Sequence, residues 1–93
     1  MDQGSRYTVA FLDWLACACA GARERAARAT RALGGDLLAT VAFVATAGHV
    51  LDFDDTFSDG VAHVSAATAP AALVLAAELG LSLGATMDAY AEG

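Results

Sequence analysis

The sequence predicts an all-α protein of about five helices. Its 93 residues are 57% hydrophobic and include a single proline, so the chain is too apolar for a disordered tail. Alanine dominates, accompanied by leucine, arginine and glutamate, which are residues of high helix propensity. Apolar residues also recur at helical spacing, as in Val9, Leu12, Ala16 and Cys19. The length is enough for one domain.

The first predicted helix starts at a cap provided by Ser5 or Thr8 and runs to about Ala20. Gly21 follows as a C-terminal stop. The apolar arc of this helix is wide, which predicts burial on most of its sides.

A second, amphiphilic segment covers residues 23–33 and ends at the glycine pair 34–35. Asp36 then caps a third helix, from Leu37 to about residue 51. This helix is apolar nearly all round, so we expect it to lie in the core.

The helical pattern breaks over residues 52–66, where aspartate, serine and glycine favour turns. A fourth helix follows residues 68–69 and has Pro70 at its first position, where a missing N–H costs nothing. Ser82 caps a last short helix over residues 83–90.

Charge is unevenly distributed along the chain, which carries a net charge of −6 and no lysine. From Asp36 onward every charged side chain is acidic, and all the basic residues come earlier: Arg6, Arg23, Arg25, Arg28 and Arg31. This balance argues against nucleic acid and against an anionic membrane surface as partners. The longer apolar stretches contain acidic residues, which also argues against a membrane span. An anionic substrate would need positive charge from elsewhere.

The two cysteines, Cys17 and Cys19, point to nearly opposite sides of a helix and are expected to be small buried apolar side chains. No zinc-ligand spacing accompanies them, and nothing requires an oxidising compartment. The N-terminus lacks the basic region of a signal peptide. We therefore expect a cytoplasmic protein.

Most of the residues able to carry chemistry fall within one short segment. They are His49, Asp52, Asp54, Asp55, Thr56, Asp59 and His63. His49 and Asp52 are three residues apart at a helix end, so their side chains can meet, and the carboxylate would fix the imidazole tautomer. Thr56 adds a hydroxyl that can donate to a substrate oxyanion, and His63 is a candidate general acid or base.

Several other readings of this segment stay open. The acidic residues can close turns or form a solvated loop, and His49 can be a core histidine. Residues 52–56 begin like a calcium loop, but Phe57 and His63 occupy the positions of the required glycine and glutamate. The acidic residues also resemble a magnesium motif with the wrong spacing. We therefore expect neither a metal nor a cofactor.

Four runs of the sequence resemble the MmgE/PrpD family, which includes 2-methylcitrate dehydratases and cis-aconitate decarboxylases. They are Ala47-Gly48-His49-Val50-Leu51-Asp52-Phe53-Asp54-Asp55-Thr56, His63-Val64-Ser65-Ala66, and Pro70-Ala71-Ala72-Leu73 with Ala76-Ala77-Glu78. The opening Phe11-Leu12-Asp13-Trp14-Leu15-Ala16 is similar as well. The resemblance therefore covers nearly the whole chain.

The resemblance implies an all-helical domain and a site that acts without metal on small di- or tricarboxylates. It assigns Asp52, Thr56 and His63 to the catalytic residues and His49 to an orienting role. The family has proline where this chain has Val64. Family members are several times longer, and further histidines and a basic residue lie in their remaining parts.

We therefore interpret residues 1–93 as a single truncated helical domain, the N-terminal region of a lyase-family protein that is incomplete as a catalyst by itself. A partner chain would supply histidine and lysine or arginine. The alternative is a catalytically inactive helical module that self-associates through its apolar helices. A membrane-associated hairpin is a third reading.

Overall fold

The computed structural model describes residues 3–52 and 64–93, and this part of the chain consists of helices and their connections, without a strand. The helices are α1 (Gln3–Gly21), α2 (Arg25–Arg31), α3 (Leu37–His49), α4 (Ser65–Leu79) and α5 (Leu83–Glu92). The prediction of an all-α fold with about five helices is confirmed. Within the described ranges, no helix combines the length and the apolar character needed to cross a membrane.

The start of α1 differs from the prediction, because both expected caps lie inside the helix. The Thr8 hydroxyl donates to the carbonyl oxygen of Gly4 at 3.1 Å, so it is used within a helical turn rather than at a helix end. The predicted end is confirmed, since Gly21 is the last residue of α1.

Two predicted N-caps are confirmed. The Asp36 carboxylate accepts from the Ala39 N–H at 2.7 Å, and the Ser82 hydroxyl accepts from the Ala85 N–H at 3.1 Å. At the C-terminal end of α4, Gly80 adopts a left-handed conformation with φ of 68°, which glycine adopts without strain. These local signals fix the start of α3, the end of α4 and the start of α5.

The predicted start of α4 is wrong. The helix begins at Ser65, so Pro70 lies inside it rather than at its first position. Proline has no N–H to donate to the carbonyl of Ala66, and one helical hydrogen bond is therefore lost. Ser65, Ala69 and Pro70 are all buried, and this packing holds the first turns helical despite the missing bond.

The core is built around α1. Trp14 is fully buried, and Phe11 lies next to it with a ring-centroid distance of 5.6 Å. Tyr90 of α5 meets Phe11 edge-on at 5.2 Å, and alanines from α2, α3 and α4 complete the cluster. Aromatic pairs in this arrangement contribute about 0.5–1.5 kcal/mol beyond their burial.

The expectation that α3 is a core helix and that α1 is buried on most sides is wrong. In α3 only Ala47 and Gly48 are buried, and Leu38 is 81% exposed. In α1 Val9 and Leu12 are more than half exposed. A small domain cannot bury every face of helices that are apolar all round, so part of the apolar surface meets solvent.

The close approach of α1 and α3 depends on two glycines. A Cβ on Gly48 would overlap the indole Nε1 of Trp14, and a Cβ on Gly21 would overlap the carbonyl oxygen of Ala47. The indole N–H has no hydrogen-bond partner among the described residues. The last turn of α3 is thereby held against α1 and against the connection to α2.

Candidate functional site

His49 is the last residue of α3, and its side chain is exposed. The reading of His49 as a core histidine is therefore wrong. Its position is well defined nevertheless, because the preceding Gly48 is buried against Trp14. The imidazole thus projects from a fixed helix end toward solvent, where a ligand can reach it.

Asp52 closes a turn directly after α3. Its N–H donates to the carbonyl oxygen of His49 at 2.8 Å, and its backbone is left-handed with φ of 59°. Left-handed conformations are uncommon outside glycine, although aspartate tolerates them better than most residues. The turn places both residues at one end of α3 and joins them through the backbone, and the predicted meeting of their side chains stays a prediction.

Thr56 and His63, the other two predicted catalytic residues, lie outside the described residues. The same holds for Asp54, Asp55 and Asp59. Their roles stay predictions, and the described part of the site is the pair His49 and Asp52.

A surface pocket of about 430 Å³ opens beside His49. We call it the His49 pocket; its lining residues are Ala26, Ala45, Thr46, His49, Val50 and Ala66. Its walls therefore come from α2, the end of α3 and the start of α4. The pocket is shallow and wide open to solvent.

The polar character of the His49 pocket comes from two of these side chains. The hydroxyl of Thr46 donates to the Ala42 carbonyl at 2.7 Å, so its proton is already used and it can act toward a ligand as an acceptor. The imidazole of His49 is the other polar group of the pocket, and the remaining walls are alanine and valine.

Positive charge lies closer to this pocket than the sequence order indicates. The short connection of residues 32–36 makes α2 and α3 neighbours, and Ala26 of α2 lines the His49 pocket. Arg25 precedes Ala26 in the chain, and together with Arg28 it lines a separate surface depression of about 400 Å³. Sequence reasoning missed these arginines, because it looked for cations only after Arg31. The short connection between two helical segments was the signal for their proximity.

The cysteines and the acidic residues form no evident metal centre in the described ranges, where no group of three or more potential ligands converges. Cys17 is half-buried and Cys19 is exposed, and neither forms a disulfide in the described part of the chain. The prediction that Cys19 is buried is therefore wrong.

Comparison of the chain with known protein families, with curated proteins and with solved structures finds no match. The resemblance to the MmgE/PrpD family therefore rests on the residues quoted above.

Proposed function

We propose that this chain is the N-terminal region of a lyase-family protein that removes water or carbon dioxide from small polycarboxylates. The observation that carries the proposal is the placement of His49 and Asp52. A backbone hydrogen bond joins them at a fixed helix end, and His49 lines an open surface pocket of about 430 Å³. They also begin the run of residues 49–56 that resembles the MmgE/PrpD family.

The proposed chemistry divides between an acid and a base. In a dehydration, a base takes a proton from carbon, and an acid protonates the hydroxyl that leaves as water. In a decarboxylation, the bond to the carboxylate breaks, and an acid protonates the carbon that is left. By the resemblance, Asp52, Thr56 and His63 take part in these steps, and His49 orients them. A partner chain with further histidine and basic residues would complete the site.

An NMR titration tests this proposal. The imidazole resonances of His49 and His63 are followed as cis-aconitate or 2-methylcitrate is added at fixed ionic strength. We expect saturable shifts that are lost in Asp52→Asn and retained in Asp88→Asn, which removes an exposed carboxylate from α5. The absence of any shift at millimolar ligand contradicts the proposal.

A second candidate function, self-association of this helical module, is favoured by a particular surface. Exposed leucines surround a groove of about 440 Å³ between α1 and α5, which Phe11 and Met87 also line. Leu12 is 56% exposed and Leu83 is 71% exposed. We propose a second copy of this chain as the occupant of this surface, which we call the α1–α5 face.

A second copy would cover these exposed leucines, and a stable dimer of standard size buries about 800 Å² on each partner. Sedimentation over a hundredfold range of concentration tests this, and a monomer at every concentration would exclude it.

We also propose a cytoplasmic location, because the cysteines of the described residues form no disulfide and Cys19 is exposed. Thiol labelling of the protein in intact cells checks this, since an oxidising compartment would leave the cysteines blocked.

A further inference from the structure

The connection between α2 and α3 is an exposed tip at the surface of the molecule. Every residue from 31 to 38 is exposed, and we call this run the α2–α3 tip. An added Cβ on Gly34 or Gly35 would meet nothing within 4 Å, so no described residue packs against the middle of the tip. The tip is therefore open to a partner.

Two large apolar side chains stand on this tip. Leu33 is 74% exposed and Leu38 is 81% exposed, more than any other large apolar side chain of the described residues. They lie on a protruding turn and not in a groove. Apolar side chains placed in this way can enter the interface of a lipid bilayer, which needs no shaped partner surface.

Positive charge lies next to these leucines. Arg25 and Arg28 line a surface depression of about 400 Å³ within the two helical turns before the tip, and Arg31 is the first residue of the tip. The guanidinium of Arg31 lies over the ring of Phe43, at 5.6 Å from its centroid. None of the three arginines forms an ion pair with a described residue, so their charge is available to an anionic partner.

Charge distinguishes this tip from the other exposed turn that carries leucines. At the connection between α4 and α5, Leu79 is 62% exposed and Leu81 is 52% exposed. The charged residue next to that turn is Glu78, and no basic residue follows Arg31 in the sequence. A partner that offers only apolar surface would fit either turn, whereas an anionic partner selects the α2–α3 tip.

We propose that the α2–α3 tip binds the surface of an anionic lipid bilayer. The leucines enter the boundary between headgroups and acyl chains, and the arginines of α2 pair with the anionic headgroups. This inference goes beyond the proposed function and does not depend on it.

The net charge of −6 does not decide against this partner. Attraction between a protein and a charged surface acts over about one Debye length, roughly 8 Å at physiological salt. The charge nearest to the contact therefore governs binding. Residues 23–38 carry four arginines against Glu24 and Asp36 and are net positive, although the whole chain is acidic.

Vesicle sedimentation tests the proposal with the unaltered chain. Vesicles of phosphatidylcholine alone are compared with vesicles that contain about 30% phosphatidylserine, at low and at physiological salt. We expect the anionic vesicles to bind at least about tenfold more tightly than the neutral ones, and the difference to shrink as salt is added. Equal binding to both kinds of vesicle, or binding to neither, would overturn the proposal.

Matched leucine variants locate the contact. L33S/L38S should weaken binding to the anionic vesicles by about tenfold or more, because both side chains leave water in the bound state. L79S/L81S removes the same two side chains from the turn without arginines and should change binding by less than about twofold. Circular dichroism confirms the helix content of each variant. Equal weakening by the two variants would show that the α2–α3 tip is not the contact.

A second matched pair tests the charge. Arg28→Gln should weaken binding to the anionic vesicles by about fivefold. Arg6→Gln, which removes an exposed arginine near the start of α1, should weaken it by less than about twofold. Equal effects would show a diffuse attraction to the whole chain and would overturn the placement of the bilayer at α2.

Asp36 provides a change of the opposite sign. Its carboxylate lies on the tip and caps α3 by accepting from the Ala39 N–H, a role that asparagine also fills. Asp36→Asn should therefore keep the helix and tighten binding to the anionic vesicles by about twofold or more at low salt. Weaker or unchanged binding would contradict the contact.

An acidic polypeptide is the other partner whose charge matches the tip, and soluble poly-L-glutamate represents it. We expect it to bind more weakly than the anionic vesicles and without dependence on Leu33 and Leu38, because it has no apolar interior. If instead it binds with the same dependence on these leucines and on Arg28, while the anionic vesicles do not bind, the partner is an acidic protein surface and the proposal fails.

Discussion

Gly48 and Trp14 show how a single missing side chain positions the site. The glycine lets the backbone of α3 lie directly on the indole ring, and His49 is the next residue along the chain. The same closeness holds at Gly21, whose neighbours are Ala47 and Val50. The His49 pocket therefore depends on two positions that carry no functional group themselves.

Replacing Gly48 with alanine should destabilise the protein. The new methyl group overlaps the buried indole, and overpacking of this kind typically costs about 1–3 kcal/mol. Urea unfolding followed by circular dichroism measures the change. The matched control is Gly35→Ala, because nothing lies within 4 Å of an added Cβ there. Equal stability of the two variants would show that the close crossing of α1 and α3 is not present.

At the scale of the helices, the sequence predicts a helix end correctly where a contact between residues close in the chain determines that end. Asp36 and Ser82 were predictable as caps, because each bonds an amide three residues ahead. The position of Pro70 inside α4 was not predictable, because the rule that places proline at a helix start ignores burial. The partly exposed faces of α1 and α3 could not be foreseen either, since nearly every helix is rich in alanine and leucine. Which apolar face is buried depends on the docking of the helices.

One buried hydrogen bond connects the start of α4 to the end of α5. The hydroxyls of Ser65 and Tyr90 lie 2.7 Å apart, so the bond joins the first turn of α4 to the end of α5. Tyr90→Phe should cost about 0.5–1.5 kcal/mol, with Ser65→Ala and the double variant completing a thermodynamic cycle. Denaturant unfolding of the four proteins gives the coupling energy. A coupling energy of zero would show that the two hydroxyls do not interact.

For the whole molecule, the surface carries both charged and apolar side chains. Exposed arginines lie on α2, exposed leucines border the α1–α5 face, and the exposed Leu33 and Leu38 follow α2 directly. The sequence predicted the imbalance of charge and the surplus of apolar residues. It did not reveal that Ala26 of α2 lines the same pocket as His49. That neighbourhood is a property of the helix packing and not of the order of residues.

Self-association gives a prediction at this scale. Leu83→Ser, at the α1–α5 face, should shift the monomer–dimer equilibrium toward monomer by about tenfold or more, because it removes apolar area from the centre of the contact. Leu38→Ser, which alters a leucine that is 81% exposed on α3, should leave the equilibrium unchanged. Analytical ultracentrifugation measures both. The same dissociation constant for both variants would place the contact elsewhere or exclude it.

The central claim is that a small polycarboxylate binds at the His49 end of α3, and backbone amide mapping by NMR tests it most directly. The chain is titrated with cis-aconitate at fixed ionic strength, and every assigned amide is followed. We predict saturable shifts concentrated at Ala26, Thr46, His49, Val50 and Ala66, with little change along α5. Shifts confined to the groove between α1 and α5, or no saturable shift at any amide, would contradict the account.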